Sequence, residues 1–293
     1  MVSKSEIFFL TGLFCVQLDC VSVEQLQIGN LALASSQQPG PLIGFGQNIL
    51  GKKDLQFFCY VSDLVGCHKN FTTIMPAVLY GIQDNLSVLV ELPIAAAFEI
   101  NDQSYQGVQD LLLQFEYAVF DQMKLEVTNQ VTLVANVSVP TGFESGNHQQ
   151  NFGSSSFQAP TFFLGTTISH VGTVWYPFAS FGAQITTQAD SGAKVGNQYF
   201  YQAGLGRNIS AKADQYIFNL LLEFDGTFKE QNSTNGTLDV NSGGNQILLG
   251  PSCWFSTPRF IFQAGVSWVV YESLCGVQNQ NSYYIALDVG YKF

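Results

Sequence analysis

The final stretch of the chain alternates without interruption. Tyr283, Ile285, Leu287, Val289, Tyr291 and Phe293 take one parity; Ser282, Tyr284, Ala286, Asp288, Gly290 and Lys292 take the other. Successive side chains of a pleated strand point to opposite faces, so this spacing predicts a strand with one apolar and one polar face. The pattern recurs upstream. Phe260, Phe262, Ala264, Val266, Trp268 and Val270 oppose Arg259, Gln263, Gly265 and Ser267. Leu220, Leu222, Phe224 and Phe228 oppose Asn219, Glu223, Asp225 and Lys229. Leu111, Leu113, Phe115, Tyr117 and Val119 oppose Asp110, Gln114 and Glu116.

Turn signals divide residues 54–293 into about twelve such strands, near 54–66, 70–81, 85–99, 105–120, 124–140, 157–170, 173–187, 197–208, 215–229, 245–256, 259–272 and 281–293. Their connections alternate in length. Short turns are expected at Gly81–Asn85, Asp121–Met123, His170–Gly172, Ile209–Asp214 and Ser256–Pro258. Longer polar loops are expected at Ile100–Ser104, Thr141–Ser156, Gln188–Gly196, Glu230–Gly244 and Glu272–Gln280. An even strand count with short turns at one end and longer loops at the other is the pattern of an outer-membrane barrel.

A secreted β-sandwich or a lipocalin-like barrel also alternates, but buries its apolar face and solvates the other. Composition separates the cases. Only 11% of the residues are charged, against roughly 25% in a soluble domain. The polar parity is mostly Ser, Thr, Gln, Asn and Gly, which suits a wet lumen. The predicted fold class is therefore all-β: a transmembrane, antiparallel, up-and-down β-barrel. Hydrocarbon offers no partner to an unpaired N–H or C=O, so the last strand must close on the first. A net charge of −11 repels phosphate backbones and argues against nucleic-acid binding. The expected surroundings are the lipid bilayer of the bacterial outer membrane, with the protein as a monomer.

A spanning helix needs about 20 apolar residues; the run Ile7–Leu18 is shorter than that. Lys4 before it and the polar stretch Asp19–Gln25 after it resemble a secretory signal. The expected organisation is a signal peptide over 1–20, an N-terminal periplasmic linker or plug segment over 21–53, and the barrel over 54–293. Within the second, Ser35-Ser-Gln-Gln-Pro-Gly-Pro41 reads as a flexible linker. Gly44-Phe-Gly-Gln-Asn-Ile-Leu-Gly51 reads as a plug in the barrel mouth or a cover on the periplasmic opening.

Several motifs carry a resemblance: Tyr80-Gly-Ile-Gln-Asp-Asn-Leu-Ser87, Val90-Glu-Leu-Pro93, Val108-Gln-Asp-Leu-Leu-Leu113, Val139-Pro-Thr-Gly142, Leu249-Gly-Pro-Ser252 and Ser256-Thr-Pro-Arg259. Over most of 55–293 the chain resembles the bacterial outer-membrane transporter barrels named after the meta-pathway of phenol degradation. These motifs are strand and turn signatures, which bear on fold more than on substrate. The Val108-Gln109-Asp110 stretch departs from the family's more frequent Gly-Gly-Asp. The C-terminal Tyr291 and Phe293 resemble the signal read by the outer-membrane assembly machinery.

No catalytic, cofactor or metal site is expected. The three histidines, His68, His148 and His170, fall at strand ends or in loops, and no G-x-S-x-G elbow exists. Cys59, Cys67 and His68 lack the paired spacing of a zinc site. An exported protein can form disulfides, and Cys67 with Cys275, both predicted at the external rim, is the candidate pair; Cys59 and Cys253 are expected to face lipid. Parity places Glu91, Asp110, Glu116, Glu223, Asp225 and Asp288 in the lumen, with Lys229, Arg259 and Lys292. Such charges either brace the wall as pairs or form an acidic constriction that favours cations and neutral solutes. The expected function is a passive channel for small solutes, hydrophobic ones included. The alternative is a structural or surface-interaction barrel acting through its external loops.

Overall fold

The computed structural model describes residue 33 and residues 35–100, 103–124, 127–145 and 159–293. In chain order the strands begin with β1 (Leu55–Gly66), β2 (Lys69–Gln83), β3 (Leu86–Glu91), β4 (Ile94–Ile100), β5 (Gln103–Val108) and β6 (Leu111–Lys124). Next come β7 (Val127–Val139), β8 (Phe143–Ser145), β9 (Thr161–Gly172), β10 (Trp175–Thr186), β11 (Ala193–Lys194) and β12 (Gln198–Lys212). The last are β13 (Tyr216–Lys229), β14 (Ser233–Thr234), β15 (Thr237–Leu238), β16 (Gly244–Ser256), β17 (Phe260–Leu274) and β18 (Asn281–Lys292).

Twelve of these, β1, β2, β3, β6, β7, β9, β10, β12, β13, β16, β17 and β18, follow one another around one antiparallel sheet. The sheet closes where β1 pairs with β18, Phe57 opposite Tyr291 and Tyr60 opposite Asp288. The last amide completes the seam, Phe293 N–H donating to Leu55 C=O at 3.0 Å. Each strand of this closed ring of twelve is thus paired on both sides, as hydrocarbon requires. Among the described residues no helix is long and apolar enough to cross a membrane, and the crossing is made by strands.

The burial pattern is that of a soluble barrel turned inside out. Leu133, Phe181 and Ile285 are 43%, 57% and 46% exposed, while their chain neighbours Thr132, Ser180 and Ala286 are buried. Aromatic rings collect at both ends of this apolar belt. Trp175, Tyr291 and Phe293 lie at the short-turn end, and Tyr199, Phe228 and Trp268 lie toward the long-loop end; all are exposed. Arg207 stacks over Trp175 at 5.4 Å, an arrangement suited to the headgroup layer. Short turns mark the periplasmic side and longer loops the external side.

The expected twelve strands are observed, with two departures. The strands expected at 85–99 and 105–120 are each broken, at Leu92-Pro93 and at Gln109-Asp110. A third break, Pro140–Gly142, lies beside them, and β4, β5 and β8 continue the ladder above. Proline has no N–H for the ladder. Asp110 and Thr141 take over, accepting from Gly142 N–H at 3.1 Å and Leu111 N–H at 3.0 Å. Second, several strands outrun their alternation. Register shifts at Gly81/Gln83, Ala118/Phe120 and Asn208/Ser210 coincide with the expected ends at 81, 120 and 208. Each bulge inserts a residue, so the period of two slips while the strand runs on.

Candidate functional site

The segment 36–54 runs inside the barrel. It enters near the periplasmic end, arches across the lumen and returns to the same end to begin β1. Its backbone is tied to the wall on all sides. Ser256 Oγ donates to Gln37 C=O at 2.7 Å, and Gln263 Nε2 donates to Gly40 C=O at 2.8 Å. Leu42 N–H donates to Glu223 Oε2 at 2.7 Å, and Gln202 donates to Ile43 C=O. Thr167 Oγ1 donates to Phe45 C=O at 2.6 Å. Asn48 gives its backbone and side-chain N–H to the two oxygens of Glu116, at 2.8 and 3.0 Å. Leu50 N–H donates to Ser87 Oγ at 2.8 Å.

Beyond the 3-10 turn at its start the segment has no sheet or helix of its own, so its backbone groups need other partners, and the polar parity of the wall supplies them. Gly46 makes the turn at φ +80; a Cβ there would stand 2.7 Å from Thr167 Oγ1 and 2.8 Å from Val134 Cγ2. Phe45 packs edge-on against Phe163, ring centroids 4.7 Å apart. At the exit, Lys53 N–H donates to Gly81 C=O at 2.8 Å and Gly81 N–H to Asp54 C=O at 3.0 Å. A Cβ on Gly81 would lie 2.0 Å from Gly51 O. Residues 35–41, expected to be a linker, are packed: Ser35–Gln37 form a 3-10 turn, and Gln37 is fully buried. The Pro and Gly content that reads as flexibility here permits a tight path along the wall.

Above this plug lies a cavity of about 560 Å³. Its floor is the plug, residues 36–48, and most of its wall comes from the external halves of the strands. Glu91, Asp110, Asp225 and Asp288 line it, with no Lys, Arg or His among the described lining residues. Phe58, Tyr60, Phe163, Phe200, Trp254 and Tyr284 supply aromatic surface.

The carboxylates expected in the lumen thus divide by task. Glu116 and Glu223 hold the plug, Glu223 also accepting from Ser252; the other four face the cavity. The cations lie toward the two ends of the barrel, outside the chamber lining. Arg259 lies in the exposed periplasmic turn after β16, so its assignment to the lumen is corrected: a turn residue does not follow strand parity. Lys292 forms a 2.6 Å ion pair with Asp54 at the periplasmic rim, and Lys229, at the external end of β13, keeps the inward parity of Glu223 and Asp225 and lies within electrostatic reach of Lys69 at the external mouth. Cys67 and Cys275 are exposed free thiols, so the expected bridge is not made; Cys59 and Cys253 are also free and half-buried.

His170 lies on the outer face, its Nδ1 2.6 Å from Asn129 Oδ1. His148, Cys15 and Cys20 lie outside the described residues, as does the expected signal peptide. Among the described residues no three His, Cys, Asp or Glu side chains converge on a metal position. The plug-holding set Thr167, Gln202, Ser256 and Gln263 was not singled out by sequence. Its signal was there in the uncharged polar residues at inward positions, but it names no partner.

No family model matches the chain, and no curated protein matches it. Among solved structures, the fold is similar to an outer membrane channel from Pseudomonas putida F1, with a TM-score of 0.64 at 13% identity, covering 87% of this chain and 99% of that one. The NanC porin gives a TM-score of 0.49 at 10% identity, covering 81% of this chain and all (100%) of that one. The CymD monoaromatic hydrocarbon channel gives 0.38 at 8%, covering 92% and 98%. The first of these likenesses places the chain in the fold of outer-membrane channel barrels.

Proposed function

We propose that this protein is a monomeric outer-membrane channel that passes small solutes passively, with its own N-terminal segment as the barrier. The observation that carries this reading is the acidic cavity of about 560 Å³ facing the external side, floored by the plug. A barrel made only for structure has no need of a solute-sized chamber walled by four carboxylates. The resemblance of the turn motifs to the meta-pathway transporter barrels supports the same reading, as does the shared fold of the Pseudomonas putida channel. In this reading residues 1–20 direct export, and Tyr291 with Phe293 is engaged by the assembly machinery. Planar-bilayer recording tests the transport step. Removing residues 35–50 should turn a low-conductance barrel into one with steady openings. No conductance in either form would overturn the channel.

A second reading, a surface-interaction barrel, has one observation in its favour. β11, β14 and β15 form a small separate sheet that ties two external loops together, with Leu238 and Val240 exposed beside it. Loss of surface binding but not of solute flux on deleting both loops would favour it.

A further inference from the structure

We propose that the cavity above the plug binds a small organic ammonium, a protonated amine on an aromatic or short apolar body, with Asp225 as its anchor. The proposal names the solute class of the channel reading and rests on that reading for the route by which the amine arrives.

Asp225 is 4% exposed, lines the cavity, and neither of its carboxylate oxygens accepts a hydrogen bond from the described protein. Its cross-strand partner on β12 is Gln202. Gln202 spends its amide N–H on Ile43 C=O of the plug, which leaves Oε1 without a donor beside Asp225. On β18, Asp288 lines the same chamber, and its Oδ1 is also without one. The plug offers little relief, because Leu42 and Ile43 N–H are committed to Glu223. Among the described buried atoms of the lining without a partner, the four acceptor oxygens of Asp225, Asp288 and Gln202 outnumber the three groups that can donate, on Ser36, Gln47 and Trp254.

A buried carboxylate without a donor or a counter-charge is costly, and the structure tolerates it where a ligand completes it. What completes it must be positive and rich in donors. An ammonium has up to three N–H donors and no acceptor. The remaining wall selects the rest of the molecule. Tyr60, Tyr284, Phe200 and Trp254 line the same chamber. Aromatic faces attract organic cations and also shelter an apolar body, which a hydrated metal cation lacks.

The test is calorimetric titration of the detergent-solubilised full chain with benzylamine, benzyl alcohol and benzoate. Benzylamine should bind at least about tenfold tighter than either, the least that a buried charge-assisted hydrogen bond contributes. Asp225→Asn should abolish that preference and leave benzyl alcohol unchanged. Asp225→Glu, which keeps the charge, should retain it and controls for a misfolded variant. Equal binding of amine and alcohol, or a preference that survives in Asp225→Asn, would overturn the proposal. Displacement of benzylamine by equimolar potassium would overturn it too, by revealing a site for cations at large. Amine preference without conductance in the plug-deleted barrel would overturn the channel reading while the binding site stands.

Discussion

Glu223 and Glu116 show how single side chains decide what the lumen does. Both are buried and both accept from the plug, Glu223 from Leu42 and Ile43 N–H and Glu116 from Asn48, while Ser252 and Gln114 of the wall donate to the same carboxylates. Glu223→Ala would strand the N–H groups of Leu42 and Ile43 in the barrel interior, at about 1–3 kcal/mol for each buried group left unpaired. Amide hydrogen exchange across residues 40–48 should then accelerate by at least about thirtyfold, since two such groups cost about 2 kcal/mol or more and 1.4 kcal/mol is tenfold in an opening equilibrium. The ladder amides of the wall should keep their protection. Equal exchange in the variant and the parent would show that Glu223 is not a tether. Gly46→Ala acts on the same segment by a different route. It places a side chain on a backbone at φ +80, close to Thr167 and Val134. It should speed exchange over the same residues, at a cost of about 1–3 kcal/mol. Wild-type exchange rates in that variant would mean that the turn relaxes without leaving the wall.

At the scale of the strand, alternation carries the energetics. β7 shows it in adjacent residues, Thr132 buried on the lumen side and Leu133 exposed at the middle of the strand. Leu133→Arg should destabilise the barrel in lipid vesicles by about 2–4 kcal/mol, the cost of a cation at the bilayer midplane. Leu133→Phe should stay within about 0.5 kcal/mol. Urea unfolding from vesicles reads both, and an unshifted midpoint for the arginine would place Leu133 away from lipid. The strands were legible because this periodicity is local. Leu133 and Val139 on β7, like Ile285 and Tyr291 on β18, could be assigned a face by counting. Strand ends were less legible. At Gly81, Ala118 and Asn208 a bulge shifts the phase, and a bulge is set by the partner strand as much as by its own residues.

For the whole molecule, the distribution of charge matters more than its sum. Four carboxylates line the chamber, while Arg259 and Lys292 lie at the periplasmic turn and rim, and Lys229 and Lys69 lie at the external mouth. The field in the passage is therefore negative once the plug is removed. In a potassium chloride gradient the plug-deleted barrel should give a reversal potential of cation-selective sign. Combining Glu91→Gln, Asp110→Asn, Asp225→Asn and Asp288→Asn should move it toward zero. An anion-selective potential before those changes would mean that the rim lysines dominate the field.

The sequence by itself determined that the chain makes a membrane barrel of about twelve strands, because a strand's two faces are written in neighbouring residues. It also put six carboxylates on the lumen side by the same counting. It did not separate Glu116 and Glu223, which hold the plug, from Asp225 and Asp288, which face the chamber. That division belongs to the tertiary structure. It depends on where residues 36–48 cross the lumen, and their contacts, from Ser87 and Glu116 to Glu223 and Gln263, are far from them along the chain. A periodicity records which way a side chain points, and only the closed cylinder brings it opposite the group it binds.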